Sequence, residues 1–171
     1  MGKESMKNNK KLAVVIIIIG ILYAVIFAVV MFIVIFQPYT VYENPDLIAG
    51  RLDGSSSKIN YRASTQDGIT TINCKKMTGM DTIWKYQADK DMTLQMHYNL
   101  KVTAGKAKLV LITPDDTIVT LTEQETTAYS NTETLDTEST AELTLKKGTN
   151  RLKIVCEKGT AFSLSFHITD S

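Results

Sequence analysis

The strongest constraint in this sequence is an uninterrupted apolar run, residues 12–36, which holds no charged residue and no proline. A helix of 25 residues rises about 37 Å at about 1.5 Å per residue, whereas the hydrocarbon core of a bilayer is about 30 Å thick. Cleaved signal peptides have shorter apolar runs, of about 7 to 15 residues, followed by a small-residue site. This run ends instead in the bulky Phe36-Gln37-Pro38-Tyr39. It therefore predicts a transmembrane helix over residues 12–36 that is retained as a signal anchor.

Basic residues before the run set its predicted orientation. Residues 1–11 hold four lysines and one glutamate, and lysines that flank a span are kept in the cytoplasm. Residues 1–11 are therefore predicted to be a cytoplasmic basic tail of a single-pass protein in the cell membrane. The chain beyond the span is then extracytoplasmic. Four lysines without arginine or an aromatic residue do not predict a nucleic-acid partner.

Small residues recur at every fourth position within the predicted span. Gly20, Ala24 and Ala28 would share one face of a helix, and small faces let membrane helices approach closely. They form a candidate helix-association face. Because glycine is frequent in membrane spans, the spacing is also compatible with no association.

Residues 37–68 lose the hydrophobic periodicity of a packed element. Gly50, Gly54 and a run of three serines from Ser55 are typical of a loop. Asn44 followed by proline is a signal for the start of a short helix. The segment is predicted to be a stalk or a loosely ordered lead-in.

Hydrophobicity alternates with a period of two through the remainder, residues 69–171. From Met92 to Val102, six apolar residues alternate with polar ones, which is typical of a half-buried strand. Residues 108–113 are apolar on both faces, as in a central strand. Turn signals separate about eight such stretches, one of them at Lys158-Gly159-Thr160. The pattern predicts a mainly β domain after the transmembrane helix: an antiparallel, jelly-roll-like β-sandwich of about eight strands.

One stretch, residues 123–140, interrupts this alternation. It is rich in threonine, serine and acidic residues and contains no lysine or arginine. Long loops on sandwiches often carry binding sites, and an acidic loop would select a basic partner or a cation. The alternative is a solvated, flexible insertion. The carboxylates of this candidate binding loop are Glu123, Glu125, Glu133, Asp136 and Glu138.

The order of these strands resembles a known group of proteins. The resemblance lies in a strand with Trp84 and Tyr86, in Lys106 to Asp116, and in Leu143 to Val155. These features resemble uncharacterised single-span membrane-anchored proteins of Gram-positive bacteria with a jelly-roll ectodomain. More distantly, they are similar to the bacterial pre-peptidase C-terminal domain, a jelly-roll accessory module. Asp116 stands where that family usually has glycine in the turn. The resemblance implies a fold rather than an activity.

The search for chemical sites yields few candidates. His97 and His167 are the two histidines, and the alternation predicts that both point away from the core. They could meet on one sheet face, but two ligands without a third make a poor metal site. No nucleophile elbow, phosphate loop or dinucleotide fingerprint occurs. The sequence therefore predicts no catalytic residue, no cofactor and no metal.

Cys74 and Cys156 are the only cysteines, and the alternation places both inward. An oxidising exterior permits a disulfide between them. Two buried free thiols are the alternative, because cysteine packs as a small hydrophobe.

Two functional hypotheses follow from these features, and neither is enzymatic. The first is a membrane-anchored extracytoplasmic β-sandwich that binds a protein or a cell-wall glycan at the cell surface. The second is an accessory subunit that joins a membrane protein complex through its transmembrane helix. The identity of the span separates them, because a display module tolerates an unrelated span and a subunit does not.

The predicted topology can be tested by proteolysis of intact cells. Protease is expected to remove the β domain and to leave residues 1–11 protected, because the lysine excess precedes the span. Immunoblots for tags at the two ends report each fragment, and permeabilised cells should lose both. A full-length chain that survives in intact cells would indicate the reverse orientation.

Overall fold

The computed structural model describes residues 19–31, 41–126 and 138–170. The chain divides into two compact units, Met1–Tyr39 and Thr40–Ser171. In the first unit, residues 19–31 are helical (α1), and every one of them is exposed. Among the described residues, no helix has both the length and the apolarity needed to cross a membrane. The two ends of the predicted span 12–36 and the whole basic tail lie outside the described residues.

The second unit is built almost entirely of β-strands. It opens with a short 3-10 helix, Val41–Glu43, and with α2, Pro45–Ala49. All strand pairs are antiparallel, which confirms the predicted mainly β, antiparallel class. The strands are β1 Ser55–Ile59, β2 Arg62–Gln66, β3 Ile69–Ala88, β4 Met92–Ala104, β5 Lys106–Ile112, β6 Ile118–Glu125, β7 Ser139–Leu145 and β8 Gly148–Asp170.

Two long strands, β3 and β8, connect the halves of a sandwich-like sheet. They pair with each other over nearly their full lengths. The first half of β8 also pairs with β5, and its second half pairs with β4. One half of the sheet therefore contains β1, β3, β8, β5 and β6, and the other contains β2, β3, β8, β4 and β7. Both long strands belong to both halves.

The bend in β8 falls where the sequence predicts a turn, at Lys158-Gly159-Thr160. The prediction of a chain reversal there is wrong, because β8 continues through it. Side chains bind the backbone groups that the ladder leaves free at the bend. The Gly159 N–H donates to Thr78 Oγ1 at 3.0 Å, and buried Thr160 Oγ1 accepts from the Lys106 N–H at 3.2 Å. With this backbone satisfied, the strand bends instead of ending.

The main core lies between the two halves of the sheet. It consists of the inward residues of β3, β4, β5, β7 and β8. Burial of such aliphatic and aromatic side chains stabilises by about 1.5–3 kcal/mol each. The largest contributors include Ile72, Met96, Leu109, Leu111, Leu143, Leu145, Leu152, Ile154, Phe162, Leu164 and Phe166.

A second core forms on the outer side of β5, under the lead-in. Tyr42 and Ile48, 1% and 3% exposed, pack against Val110, Ile112 and Val155. The prediction of a loosely ordered stalk over residues 37–68 is therefore wrong for the part from residue 41 onwards. Its serines form β1 rather than a loop, since β1 pairs with β3. The apolar residues of the lead-in are too far apart in sequence to show a period.

Helix α2 is held at both ends by specific hydrogen bonds. Asn44 caps its N-terminus, with Oδ1 accepting from the Leu47 N–H at 3.1 Å. At its C-terminus, Arg151 donates to the carbonyls of Ala49 and Gly50 at 2.8 and 2.9 Å. Lys153, with no exposed side-chain area, donates to Gly50 at 2.7 Å. Cations near the last carbonyls of a helix satisfy groups that have no partner within it.

Gly79 lets the lead-in pass close to β3. Its φ of +107° lies in the region that favours glycine. A Cβ at this position would lie 2.0 Å from the carbonyl oxygen of Gly54, which accepts a hydrogen bond from the Met80 N–H at 3.0 Å. The lead-in backbone therefore joins the sheet directly at this point.

The role of the lead-in can be tested with two matched truncations. Ile48→Ala is expected to lower the free energy of unfolding by about 2–4 kcal/mol, because it removes a fully buried side chain. Leu52→Ala, at a residue that is 84% exposed, is the control and should change stability by less than about 0.5 kcal/mol. Denaturant unfolding measures both. Equal effects would mean that the lead-in is not part of the core.

Candidate functional site

The outer side of the half-sheet β3-β8-β4-β7 presents a continuous polar surface, called here the polar face. Cross-strand register aligns its members in rows: Asn99 opposes Ser165, and Lys101 opposes Ser163. All of them are exposed or half-buried. The polar face comprises Thr71, Asn73, Gln95, His97, Asn99, Lys101, Thr140, Glu142, Ser163, Ser165, His167 and Thr169.

Two histidines lie side by side at the centre of this face. His97 on β4 and His167 on β8 are directly opposite each other in the register. Their rings stack, with centroids 4.8 Å apart and an angle of 4° between the planes. Their side chains are 26% and 34% exposed. The antiparallel ladder fixes this pairing, because directly opposite residues place their Cβ atoms about 5 Å apart.

A carboxylate from the neighbouring strand completes a group of three. Glu138 immediately precedes β7, and Thr140, two residues further along, pairs with His97 in the ladder of β7 with β4. Glu138 Oε2 lies 4.0 Å from His97 Nδ1, and Oε1 lies 3.8 Å from His167 Nδ1. Among residues 19–31, 41–126 and 138–170, this is the one group of three histidine, cysteine, aspartate or glutamate side chains that could hold a metal ion. One ligand atom from each side chain lies within 4.8 Å of the other two.

The three side chains border a shallow groove on the polar face. Its other lining residues are Ile69, Asn99, Ser165 and Phe166. The groove is open to solvent and offers imidazole, carboxylate, hydroxyl and amide groups. It can therefore hold a polar ligand or an ion on its surface but cannot enclose an apolar molecule.

The predicted outward direction of the two histidines is confirmed. The expectation of no metal rested on the lack of a third ligand, such as a carboxylate, close to them. Glu138 supplies that carboxylate, at a distance in sequence of 41 residues from His97. The one available signal was its presence in the acidic stretch just before a predicted strand.

The predicted acidic binding loop is not a single element. Glu123 and Glu125 belong to β6, and Glu123 forms an ion pair with Lys106 on β5 at 2.5 Å. This hydrogen bond lowers the pKa of Glu123 and raises that of Lys106. The absence of a compensating base within the stretch was therefore misleading, because the base lies on the adjacent strand. Glu133 and Asp136 lie outside the described residues.

The other candidate residues are separate from the polar face. Gly20, Ala24 and Ala28 share one side of α1 and are exposed. Cys74 and Cys156 are buried and free, which is the second of the two alternatives that the sequence leaves open. Burial raises the pKa of Cys156, and the neighbouring Cys74 adds to that shift.

Trp84, Tyr86 and Tyr98 pack in or against the main core. Tyr98 is buried. Trp84 and Tyr86 are half-buried against the main core and stack on each other, with centroids 5.4 Å apart. Their burial is consistent with the alternation of β3.

Comparisons with known proteins give no family assignment. No protein-family profile matches the chain, and no curated protein sequence matches it. Among solved structures, it is similar to a carbohydrate-binding module of Cellvibrio mixtus lichenase 5A in complex with cellotriose, with 13% identity, a TM-score of 0.39, and coverage of 69% of this chain and 90% of the module.

Two further carbohydrate-binding modules are similar at the same level. For TmCBM61 in complex with β-1,4-galactotriose, the identity is 11%, the TM-score 0.40 and the coverage 66% of this chain and 89% of that one. For a family 29 carbohydrate-binding module, the identity is 13%, the TM-score 0.36 and the coverage 70% of this chain and 76% of that one. Likenesses this distant do not identify a ligand for this chain.

The state of the thiols can be tested by alkylation. Both cysteines are expected to resist iodoacetamide in the folded protein and to react in denaturant, because burial keeps the reagent from both sulfur atoms. Thr120→Cys, at an exposed position on β6, is the control and should react in the folded state. Intact mass spectrometry counts the adducts. Cysteines that stay unreactive in denaturant until a reductant is added would show a disulfide instead.

Proposed function

We propose that this chain is a single-pass, membrane-anchored module that displays its β-sandwich outside the cytoplasm and binds a polar ligand through the polar face. The observation that carries the proposal is the charge-free run of residues 12–36, preceded by lysines and followed by a unit with its own core. This arrangement suits display at the surface of a cell membrane, with residues 1–11 in the cytoplasm. It also agrees with the resemblance to membrane-anchored proteins of Gram-positive bacteria.

The exposure of α1 supports the anchoring. Residues 19–31 are apolar on every side of the helix, apart from the hydroxyl of Tyr23, and all of them are exposed. An all-round apolar helix needs lipid or protein to cover it. A bilayer covers all sides of such a helix at once.

The chemistry of the polar face supports a glycan as its ligand. Threonine, serine, asparagine, glutamine and histidine side chains can each accept or donate a hydrogen bond, and they lie in rows along four adjacent strands. A polyhydroxylated chain offers complementary donors and acceptors at repeated spacing. We therefore propose a cell-wall glycan, with a surface protein as the second candidate.

The accessory-subunit hypothesis is favoured by a different feature. Gly20, Ala24 and Ala28 lie on one exposed side of α1, where small residues permit close helix packing. In that case the span would select a membrane partner and the sandwich would help assembly. The two functions make different demands on the span.

Binding can be tested by co-sedimentation of the full-length chain, in detergent micelles, with purified peptidoglycan. Ser165→Arg places a large cation in the middle of the polar face and is expected to weaken binding at least about tenfold, or about 1.4 kcal/mol. Thr120→Arg on β6 introduces the same side chain elsewhere and should leave binding unchanged. Absence of wild-type binding, or equal loss in both variants, would exclude the glycan-binding role.

Peptidoglycan co-sedimentation, combined with replacement of the span, tests the accessory-subunit hypothesis. A leucine-rich helix is substituted for residues 12–36. A display module should keep its cellular phenotype and its peptidoglycan binding, because the sandwich alone makes the contact. A subunit should lose its phenotype, because the partner no longer recognises the helix.

A further inference from the structure

The group of His97, His167 and Glu138 has the composition of a metal site. We infer that these three side chains bind a divalent transition-metal ion, with Zn²⁺ as the ion that fits their chemistry. The inference goes beyond the proposed function, because it requires neither a membrane anchor nor a glycan. It rests on the donor set, on the distances and on the rigidity of the strands that hold the ligands.

The donor set selects the class of metal. Two imidazole nitrogens and one carboxylate oxygen suit Zn²⁺ and related borderline ions. Calcium and magnesium require more oxygen ligands, and a single carboxylate is present here. Three protein ligands also leave the fourth tetrahedral position open, which is typical of sites that bind water or an external group.

The distances are close to those that a bound ion requires. With bonds of about 2.0–2.2 Å at a tetrahedral angle, ligand atoms lie about 3.3–3.6 Å apart. Oε2 of Glu138 lies 4.0 Å from Nδ1 of His97, and Oε1 lies 3.8 Å from Nδ1 of His167. Because Glu138 supplies one ligand atom, rotation of its exposed carboxylate must bring a single oxygen to ligand distance from both nitrogens. The widest separation in the group is 4.8 Å, which rotation of the half-buried rings can shorten.

The backbone holds the ligands in place without an ion. His97 and His167 lie in the interior of two strands that pair over ten register positions. Their neighbours in sequence, Met96, Tyr98 and Phe166, are buried in the main core. Glu138, by contrast, precedes a strand and is 59% exposed, so it can adjust. A rigid pair with one adaptable ligand lets an ion bind without refolding.

Zn²⁺ binding can be measured on the full-length chain in detergent micelles, purified with a histidine-free tag. Competition with a chromogenic chelator is expected to show one Zn²⁺ per chain, and Co²⁺ should give the visible absorption of a tetrahedral site. Loss of a residue that only orients a metal ligand costs about 10- to 100-fold in metal affinity. Loss of a ligand itself costs more, so His97→Ala and His167→Ala should each lower the Zn²⁺ affinity at least about 100-fold. Glu138→Gln should cost at least about tenfold.

Glu142→Gln is the matched control. Glu142 lies on β7, the strand that directly follows Glu138, and on the polar face opposite Gln95. The substitution removes the same charge without removing a ligand. This variant should bind Zn²⁺ as the wild type does. Thermal unfolding in EDTA checks the fold of every variant, and Zn²⁺ should raise the midpoint only where the site is intact.

Three results would overturn the inference. These are absence of saturable one-to-one binding by the wild type, unchanged affinity in the His97→Ala/His167→Ala double variant, and equal weakening by Glu142→Gln. The last would show that general negative charge attracts the ion. None of them bears on peptidoglycan binding, which the Ser165→Arg comparison measures separately.

Discussion

The fold depends on two strands that take part in both halves of the sandwich. Because β3 and β8 pair with each other along nearly their whole lengths, a single ladder supports both faces of the main core. This arrangement requires both strands to bend without losing their hydrogen bonds. Thr78 and Thr160 meet that requirement through their hydroxyl groups, and glycine at positions 79 and 159 adopts the positive φ values. The remaining strands add to the edges of this ladder.

Successive residues in the first half of β8 pack alternately against the main core and against the lead-in. Leu152, Ile154 and Cys156 point into the main core, whereas Arg151, Lys153 and Val155 point to the lead-in. Burial lowers the pKa of Lys153, and the carboxylate of Asp53, 3.7 Å away, opposes that shift. Removing the lead-in would take away the Gly50 carbonyl that accepts from this ammonium and would expose the apolar residues of the second core. The lead-in therefore belongs to the folded unit.

Sequence periodicity was sufficient to predict a strand where one of its faces is apolar and the other is polar. The alternation of Met92 to Val102, and the doubly apolar β5, are confirmed as a half-buried and a central strand. The predicted number of about eight strands agrees with the eight in the described residues, although β3 and β8 each run through what the sequence predicts as two strands, and β1 and β2 come from the predicted stalk. Tyr42 and Ile48 escaped prediction because isolated apolar residues have no period. Glu138 escaped because its relation to His97 arises only from the register of β7 with β4.

The attachment of the lead-in has a mechanical consequence. In a chain held at its N-terminal end, as proposed, any pull on the sandwich enters through residues 41–50. The force then acts first on the packing of Tyr42 and Ile48 and on the hydrogen bonds from Arg151 and Lys153. These contacts would yield before the long β3–β8 ladder does, because far fewer bonds share the force. Detachment would uncover an apolar strip on β5, which includes Val110 and Ile112, while the sandwich stays closed.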